Sequence, residues 1–329
     1  MRILRHKVSP GSAGFTIHQG YKDAVEKDLN GQYLEWDAGC DDPDEIFEEF
    51  QPTLVYLDCR VKFKLPQYLN KRKCKIAISV DQLPIYGKDP IFPTLASEGY
   101  IADSDQIKWV ASIEPDVVYH SNTQEVIEQS HAGWEELGYI VASIPLAGNI
   151  HKFNRHLNWE NRIYDVGFVG GFWPYKAIGL FSYIMPCISY CNTAIIGSGW
   201  PVKVLANQVD HIELNQFWNY TKIAPSVQEP QVRFNYGSIT GGEIASRVFD
   251  SSLSGAFVIS DNPCGIKQIF GNTNVFPATI NVDEFHYIIK SILSSKTDDI
   301  LRIIDMQRDT IINGHLYKHR IESLLNVIN

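Results

Sequence analysis

The stretch Gly241-Gly242-Glu243-Ile244-Ala245-Ser246-Arg247-Val248-Phe249-Asp250 holds the chain's densest set of groups suited to a phosphorylated ligand. A Gly-Gly turn lets the backbone approach a ligand closely, and the helix it opens offers free N–H groups and a positive dipole end to an anion. Arg247 and Asp250 stand three residues apart, on one face of that helix. A guanidinium grips a diphosphate through paired donors, and a carboxylate accepts both hydroxyls of a ribose. Glu243 either meets sugar hydroxyls or simply favours the helix start. An i,i+3 surface ion pair uses the same residues, so chemistry alone leaves both readings open.

A second turn of the same kind follows Asp165-Val166-Gly167-Phe168-Val169 at Gly170-Gly171, with Lys176 at the start of the next helix. A third glycine turn is Gly197-Ser198-Gly199, and Lys222 supplies a further cation. The best candidate for proton transfer is Asp81, which ends the apolar run Ile76-Ala77-Ile78-Ser79-Val80 and precedes Gln82-Leu83-Pro84. A half-buried carboxylate at a strand's carboxyl end serves as a general base, or else caps the turn before Pro84. His18 is a second candidate, in what reads as a loop after the first strand with Gly11, Ser12 and Gly14. Asp103-Ser104-Asp105 lacks a preceding apolar strand and reads as a helix start rather than a metal-binding acidic pair. Trp173, Trp200, Tyr236 and Phe249 can stack on a base or a sugar, or fill a core.

These side chains need a scaffold, and the chain alternates short apolar runs with amphipathic stretches, the pattern of parallel sheets covered by helices. Strands are expected at Arg2–Arg5, Tyr33–Trp36, Leu54–Leu57, Lys75–Val80, Val117–His120 and Tyr139–Ile144. Helices are expected near Gly20–Leu29, Pro43–Phe50 and Asn122–Leu137, the last with Ser121 and Gln124 in capping-box spacing and Gly138 just beyond its end. Pro145–Asn154 reads as a linker. Beyond it come strands at Asp165–Val169, Thr193–Ile196, around Ile223, at Ala256–Ser260 and Thr273–Phe276. Helices follow at Ser246–Leu253, Val282–Leu293, Asp298–Ile312 and His315–Ile328. The expected domains are 1–150, 151–312 and a closing helix over 313–329 that packs back on the first domain. Two doubly wound domains bind ligands at the carboxyl ends of their strands, and the cleft between them is the default site.

Composition narrows the partners. A chain of 329 residues has room for two cores, and a formal net charge of −9 argues against binding nucleic acid or anionic membrane by bulk charge. Lys62, Lys64, Lys71, Arg72, Lys73 and Lys75 form one local basic cluster, which a solvated loop also explains. The six cysteines, Cys40, Cys59, Cys74, Cys187, Cys191 and Cys264, show no CxxC pair, as in reduced buried thiols of the cytoplasm, and no metal site is indicated. Ala177–Val202 contains no charged residue, yet Pro186, Asn192, Thr193 and its glycines interrupt it, so a buried helix followed by a strand is expected rather than a membrane span.

Taken in order, Tyr164–Gly170, Gly197-Ser198-Gly199-Trp200, Tyr220–Ala224, Arg247-Val248-Phe249-Asp250, Gly255-Ala256-Phe257 and Asn313–Arg320 resemble the successive blocks of the CgeB-like glycosyltransferases. The resemblance covers roughly residues 160 to 325. The turn at Asp165–Phe172 and the Arg247–Asp250 block are also similar to those of phage DNA β-glucosyltransferases, in which a catalytic aspartate precedes Leu-Pro as Asp81 nearly does here. Asp250 stands where the family usually has a glutamate, one methylene longer. The resemblance implies a GT-B fold, an α/β architecture of two Rossmann-like domains. It implies a metal-independent, cofactor-free transferase moving a hexose or pentose from a nucleotide sugar, UDP-sugar foremost, to an acceptor hydroxyl. On that reading Asp81 and His18 are catalytic, and Gly170, Gly171, Lys176, Gly199, Lys222, Gly242, Glu243, Arg247 and Asp250 hold the donor. The acceptor is a glycan, a protein or a hydroxymethylated base in double-stranded phage DNA. A nucleotide-sugar epimerase and a non-catalytic binding module are the alternatives.

Overall fold

The computed structural model describes residues 1–8, 13–37, 42–59, 74–83, 101–174, 176–228, 242–271 and 274–329. The chain divides into two compact units, Met1–Pro145 with Lys318–Asn329, and Leu146–Tyr317. Several residues singled out in the sequence lie outside the described ones: Gly11, Ser12, Cys40, Lys62, Lys64, Lys71, Arg72, Lys73, Pro84, Tyr236 and Gly241.

The first unit is built on a six-stranded parallel sheet in the order β2-β1-β3-β4-β5-β6. Its strands are β1 (Arg2–His6), β2 (Gln32–Trp36), β3 (Leu54–Asp58), β4 (Lys75–Ser79), β5 (Val117–His120) and β6 (Val141–Ser143). Central strands such as β3 are apolar and buried along their length, as strands covered on both faces must be. Leu4, Trp36, Val55, Leu57, Ile76, Ile78 and Val118 alternate onto one face and meet Phe47, Val110 and Trp134 there. Strand order reverses at β1, whose neighbours are β2 and β3, so β1 is the switch strand of this sheet.

Helix α1 (Ala13–Asp23) begins earlier than expected and runs on into a π-helical turn, Ala24–Asp28. Helix α2 (Pro43–Phe50) follows the Asp42 cap, whose carboxylate accepts from the Asp44 amide. Helix α3 (Ser104–Ile113) starts as its Asp103 cap implies, with the Asp103 carboxylate accepting from the Gln106 amide at 2.7 Å. The expected single helix over 122–137 is two, α4 (Gln124–Ser130) and α5 (Ala132–Glu136), broken at His131. The Ser121–Gln124 capping box does not form: Thr123 is the N-cap and gives no side-chain bond. Gly138, at φ 91°, ends the pair as a left-handed terminus should.

The second unit repeats the topology with four parallel strands in the order β10-β9-β7-β8. These are β7 (Tyr164–Val169), β8 (Thr193–Ile196), β9 (Thr221–Ser226) and β10 (Phe257–Ser260), with the switch between β7 and β9. Helix α6 (Ala177–Tyr183) is short and passes into a 3₁₀ turn, Met185–Ser189. It is not wholly buried as expected, because Ile178 and Phe181 are 61% and 52% exposed. Helix α7 (His211–Tyr220) has a complete capping box, Asp210 with Glu213, a signal present in the sequence. Then come α8 (Ser246–Leu253), α9 (Pro263–Phe270), α10 (Val282–Ser294), α11 (Thr297–Gly314) and α12 (Tyr317–Ile328). The strand expected at 273–276 does not form over 274–276, Thr273 lying outside the described residues: Val275 and Phe276 are core residues outside the sheet, and Ala278 makes an isolated bridge to Ser260.

Two buried polar side chains fix the elements that carry the site. Arg162 donates to the carbonyls of Trp218 (2.9 Å), Thr221 (2.6 Å) and Ser254 (3.0 Å), tying the ends of α7 and α8 together. Burial lowers its pKa to about 10. Gln307 of α11 bonds both the amide and the carbonyl of Val258 at 2.9 and 3.0 Å, anchoring β10. Loss of either leaves buried backbone groups unpaired.

Candidate functional site

In the second unit the carboxyl ends of β7, β8 and β9 converge with the start of α8. Gly170 turns the chain out of β7 at φ 156°, and its amide donates to the Ile196 carbonyl at 2.9 Å. Trp200 pins the turn by donating from Nε1 to the Gly170 carbonyl at 2.8 Å, and Phe172 closes it through the Ser198 carbonyl at 2.8 Å. A side chain at Gly197 would collide with the Gly170 carbonyl, so this glycine is demanded by the close approach of the two turns.

Arg247 reaches this turn from the first turn of α8. Its guanidinium lies over the Phe168 ring, 5.0 Å from the centroid, and donates from Nη1 to the Val227 carbonyl just past β9 at 2.9 Å. A Cβ on Gly170 would sit 3.5 Å from Arg247 Nη2. The arginine is thus fixed by a ring and a carbonyl beside a glycine turn at the switch point, where such sheets take ligands. The N-cap of α8 is Ala245, which supplies no side-chain acceptor. The helix's first N–H groups therefore add to the positive end of its dipole.

One turn along α8, Asp250 is 4% exposed, and no protein group donates to its carboxyl among the described residues. Burial alone drives its pKa well above the usual carboxylate range. Arg247 and Asp250 therefore do not neutralise one another as the surface-pair reading requires; Arg247 is half-buried and Asp250 is buried.

The other expected donor residues separate into two groups. Gly171 and Gly199 belong to the turn, Gly199 at φ 78° against the Phe172 carbonyl, and Lys176 is the residue preceding α6. Gly242 is buried and Glu243 exposed, both just before α8. Lys222 is elsewhere. It sits near the amino end of β9 and pairs with Asp165 of β7 at 2.9 Å, at the opposite end of the sheet from Gly170. Of the candidate stacking rings, Phe249 is core at 0% exposure, Trp200 packs on Phe168 and Phe172, and Trp173 is 46% exposed.

In the first unit Asp81 follows β4 at its carboxyl end and is 6% exposed. Gln106 of α3 holds it twice, donating from Nε2 to Asp81 Oδ2 at 2.7 Å and accepting the Asp81 amide on Oε1 at 3.2 Å. Trp134 Nε1 donates to the Asp81 carbonyl at 2.9 Å, and the Cys59 thiol lies 4.0 Å from Oδ2. Nothing in the sequence pointed to Gln106, because its partner is 25 residues away. His18 is not in a loop: it lies on α1, 3% exposed, with its ring edge-on to His6 at 5.0 Å. Burial, then the charge of Arg5, push its pKa far down, so it stays neutral.

The fold also brings His286 to the cysteine pair. Its Nδ1 is 4.0 Å from Cys187 Sγ and 2.7 Å from the Tyr190 hydroxyl. The Cys191 thiol, hydrogen-bonded to Cys187, has its pKa lowered to about 7. No group of three or more His, Cys, Asp or Glu side chains among the described residues has metal-binding geometry. No described helix is long and apolar enough to cross a membrane.

The architecture is that of the GT-B glycosyltransferases. Over its whole length the chain is similar to sucrose-phosphate synthase from Thermosynechococcus elongatus, at 12% identity and a TM-score of 0.63, covering 99% of this chain and 98% of that one. It is similar to the DNA-modifying enzyme β-glucosyltransferase, solved with and without uridine diphosphoglucose, at 12% identity and 0.60, covering 100% and 99%. It is also similar to Anabaena HepE in complex with UDP-glucose, at 12% identity and 0.55, covering 99% of each chain. Residues 185–326 match the family model described as glycosyl transferase-like. No curated protein matches in sequence.

Proposed function

We propose that the chain is a glycosyltransferase that moves a hexose or pentose from a nucleotide sugar, UDP-sugar foremost, to an acceptor hydroxyl. The observation that carries this reading is the arrangement at the carboxyl end of the second sheet. Arg247 is fixed beside the Gly170 turn, and a buried carboxyl, Asp250, lies one turn on without a donor among the described residues. The diphosphate is held by Arg247, by the backbone amides of the Gly170-Gly171 turn and the α8 N-terminus, and by Lys176, with Gly199 and Gly242 leaving room for it. Ribose hydroxyls donate to Asp250, and Glu243 meets the sugar. Lys222 is left out of this set, since it is paired at the far end of the sheet.

Asp81 acts as the general base. The acceptor oxygen bonds to the anomeric carbon as the bond from that carbon to the diphosphate oxygen breaks, the acceptor proton passes to Asp81, and the departing charge is met by Arg247 and Lys176. These cations need no metal to do so. His18, interior and left a weak base by burial and by the charge of Arg5, is not assigned the base role. UDP is favoured because similar folds have been solved with UDP-glucose and uridine diphosphoglucose. The acceptor is a glycan, a protein or a hydroxymethylated base in DNA, the last opposed by the net charge of −9. The reaction is placed in the cytoplasm.

The test is thermal stabilisation by UDP, GDP, ADP, CDP and dTDP, on wild type and Arg247→Ala. One nucleotide at a hundred times its Kd is expected to stabilise the wild type by about 2.7 kcal/mol, and the variant far less. No response to any of them removes the nucleotide-sugar reading.

A further inference from the structure

The first unit contains a buried cation with no counter-ion among the described residues. Arg5, on the switch strand β1, is 6% exposed. Its Nε and Nη1 make no hydrogen bond, and it forms no ion pair with any described residue. What surrounds it is aromatic. The guanidinium carbon lies 4.3 Å from the Tyr56 ring centroid and 4.7 Å from that of Tyr21. Arg5, Tyr33, Tyr56 and Tyr119 alternate with Leu4, Leu34, Val55 and Val118, so they share the sheet face opposite the apolar core. Tyr56 stands in register with Arg5. Tyr21 and His18 come from α1, and His18 also lies within the electrostatic reach of Arg5.

These groups do not supply a negative charge. Burial raises the pKa of Tyr21, Tyr33, Tyr56 and Tyr119, which keeps the phenols protonated. The Tyr21 and Tyr56 hydroxyls satisfy one another at 2.9 Å, and Tyr119 approaches the Leu57 carbonyl at 3.3 Å. His18 Nδ1 is buried without a hydrogen-bond partner, and the Tyr33 hydroxyl lies close enough to Arg5 for the guanidinium to act on it, yet makes no hydrogen bond of good geometry. Stacking on two rings returns less than desolvating a guanidinium costs. A neutral partner would satisfy the open N–H groups, yet only an anion also balances the charge.

We propose that Arg5, Tyr33 and His18 form a binding site for a small terminal oxyanion, a carboxylate or phosphate monoester, on the switch strand of the first unit. Arg5 supplies the charge and the Nε–Nη1 donors, Tyr33 an O–H donor and His18 a ring N–H. A chain phosphodiester does not fit a group so deeply buried. The site is independent of the donor reading, because it lies in the other unit and shares no residue with it.

Binding is measured by thermal shift in an Arg247→Ala background, which takes the other guanidinium out of play. The probes are inorganic phosphate, acetate, and, as anions carried on a sugar, glucose 6-phosphate and glucuronate, each against sodium chloride at equal ionic strength. Phosphate or acetate is expected to stabilise the protein above chloride, with Arg5→Met weakening the Kd at least tenfold, about 1.4 kcal/mol, and Tyr33→Phe roughly threefold. Tighter binding of a sugar-borne anion than of the free one, with the same Arg5 dependence, assigns the anion to a substrate. Equal responses to chloride and to every probe, or responses unchanged by Arg5→Met, overturn the proposal. Should Arg5→Met not fold, the His18 imidazole NMR signal, assigned with His18→Asn, decides: it is expected to move saturably with phosphate and less so in Tyr33→Phe, and a signal that does not move overturns the site.

Discussion

Gln106 holds Asp81 with both ends of its amide, the nitrogen on the carboxylate at 2.7 Å and the oxygen on the backbone amide at 3.2 Å. A carboxylate gripped in this way has one orientation, which is what a general base at a strand's carboxyl end requires. Asp81→Asn is expected to lower kcat by about 10²–10⁴-fold while leaving stabilisation by UDP intact. Gln106→Leu removes only the positioning. It should reduce kcat by about tenfold with KM for the donor little changed, and an unchanged kcat in both variants would return Asp81 to a purely structural role.

In the proposed donor site Arg247 would contribute a charge-assisted contact that a neutral residue does not replace. Arg247→Ala is expected to weaken UDP binding by roughly two orders of magnitude, from about 1.5–3 kcal/mol per hydrogen bond to a charged group. Arg247→Lys keeps the charge and loses the fork, so calorimetry should place it between the two.

Lys222→Ala gives the contrasting result. Its ammonium is engaged with Asp165 near the amino ends of the strands. The pair is a quarter exposed, and such pairs contribute about 0–1 kcal/mol. A small loss of thermal stability with an unchanged nucleotide Kd is expected; a large change in Kd would put the donor at the other end of the sheet.

Asp250 couples binding to pH. Its folded-state pKa is raised by burial, so the folded protein holds this proton more tightly than the unfolded chain. Its contribution to stability is fully present below the unfolded carboxylate pKa, about 3.9, and is lost as pH rises through the folded value. Asp250→Asn removes that loss. The variant should gain stability relative to wild type as pH climbs above about 4, while, on the proposed reading, binding nucleotide more weakly because an amide cannot ionise to accept both ribose hydroxyls. Melting curves across pH, with and without UDP, check both halves.

Gly197→Ala should be strongly destabilising, by about 1–3 kcal/mol or more. It places a methyl group against the Gly170 carbonyl at positive φ, with no flexible side chain to yield. Chemical denaturation measures the loss, and a neutral result would mean that the two turns move apart readily.

By itself the sequence determined what depends on local order. Short continuous apolar runs are written into Leu54–Leu57 and Thr193–Ile196, which form the buried strands β3 and β8. The Arg247–Asp250 spacing is a property of one helix, and Ser246–Leu253 is that helix. Boundaries that depend on competition between neighbours were less legible. His131 breaks an otherwise continuous helical pattern, and residues 274–276 belong to a segment of strand composition but lie outside the sheet. Only the tertiary structure decided which distant groups meet. Gln106 reaches Asp81 across 25 positions, Val227 receives Arg247 across 20, and Arg5 finds its tyrosines on four other elements. It also set Lys222 apart from the glycine turn and moved His18 from an exposed loop into the interior. The physical reason is that burial and charge compensation belong to the folded environment. A residue type states what a side chain can do, and the packing around it decides whether that side chain is paired, neutral or left to bind something else.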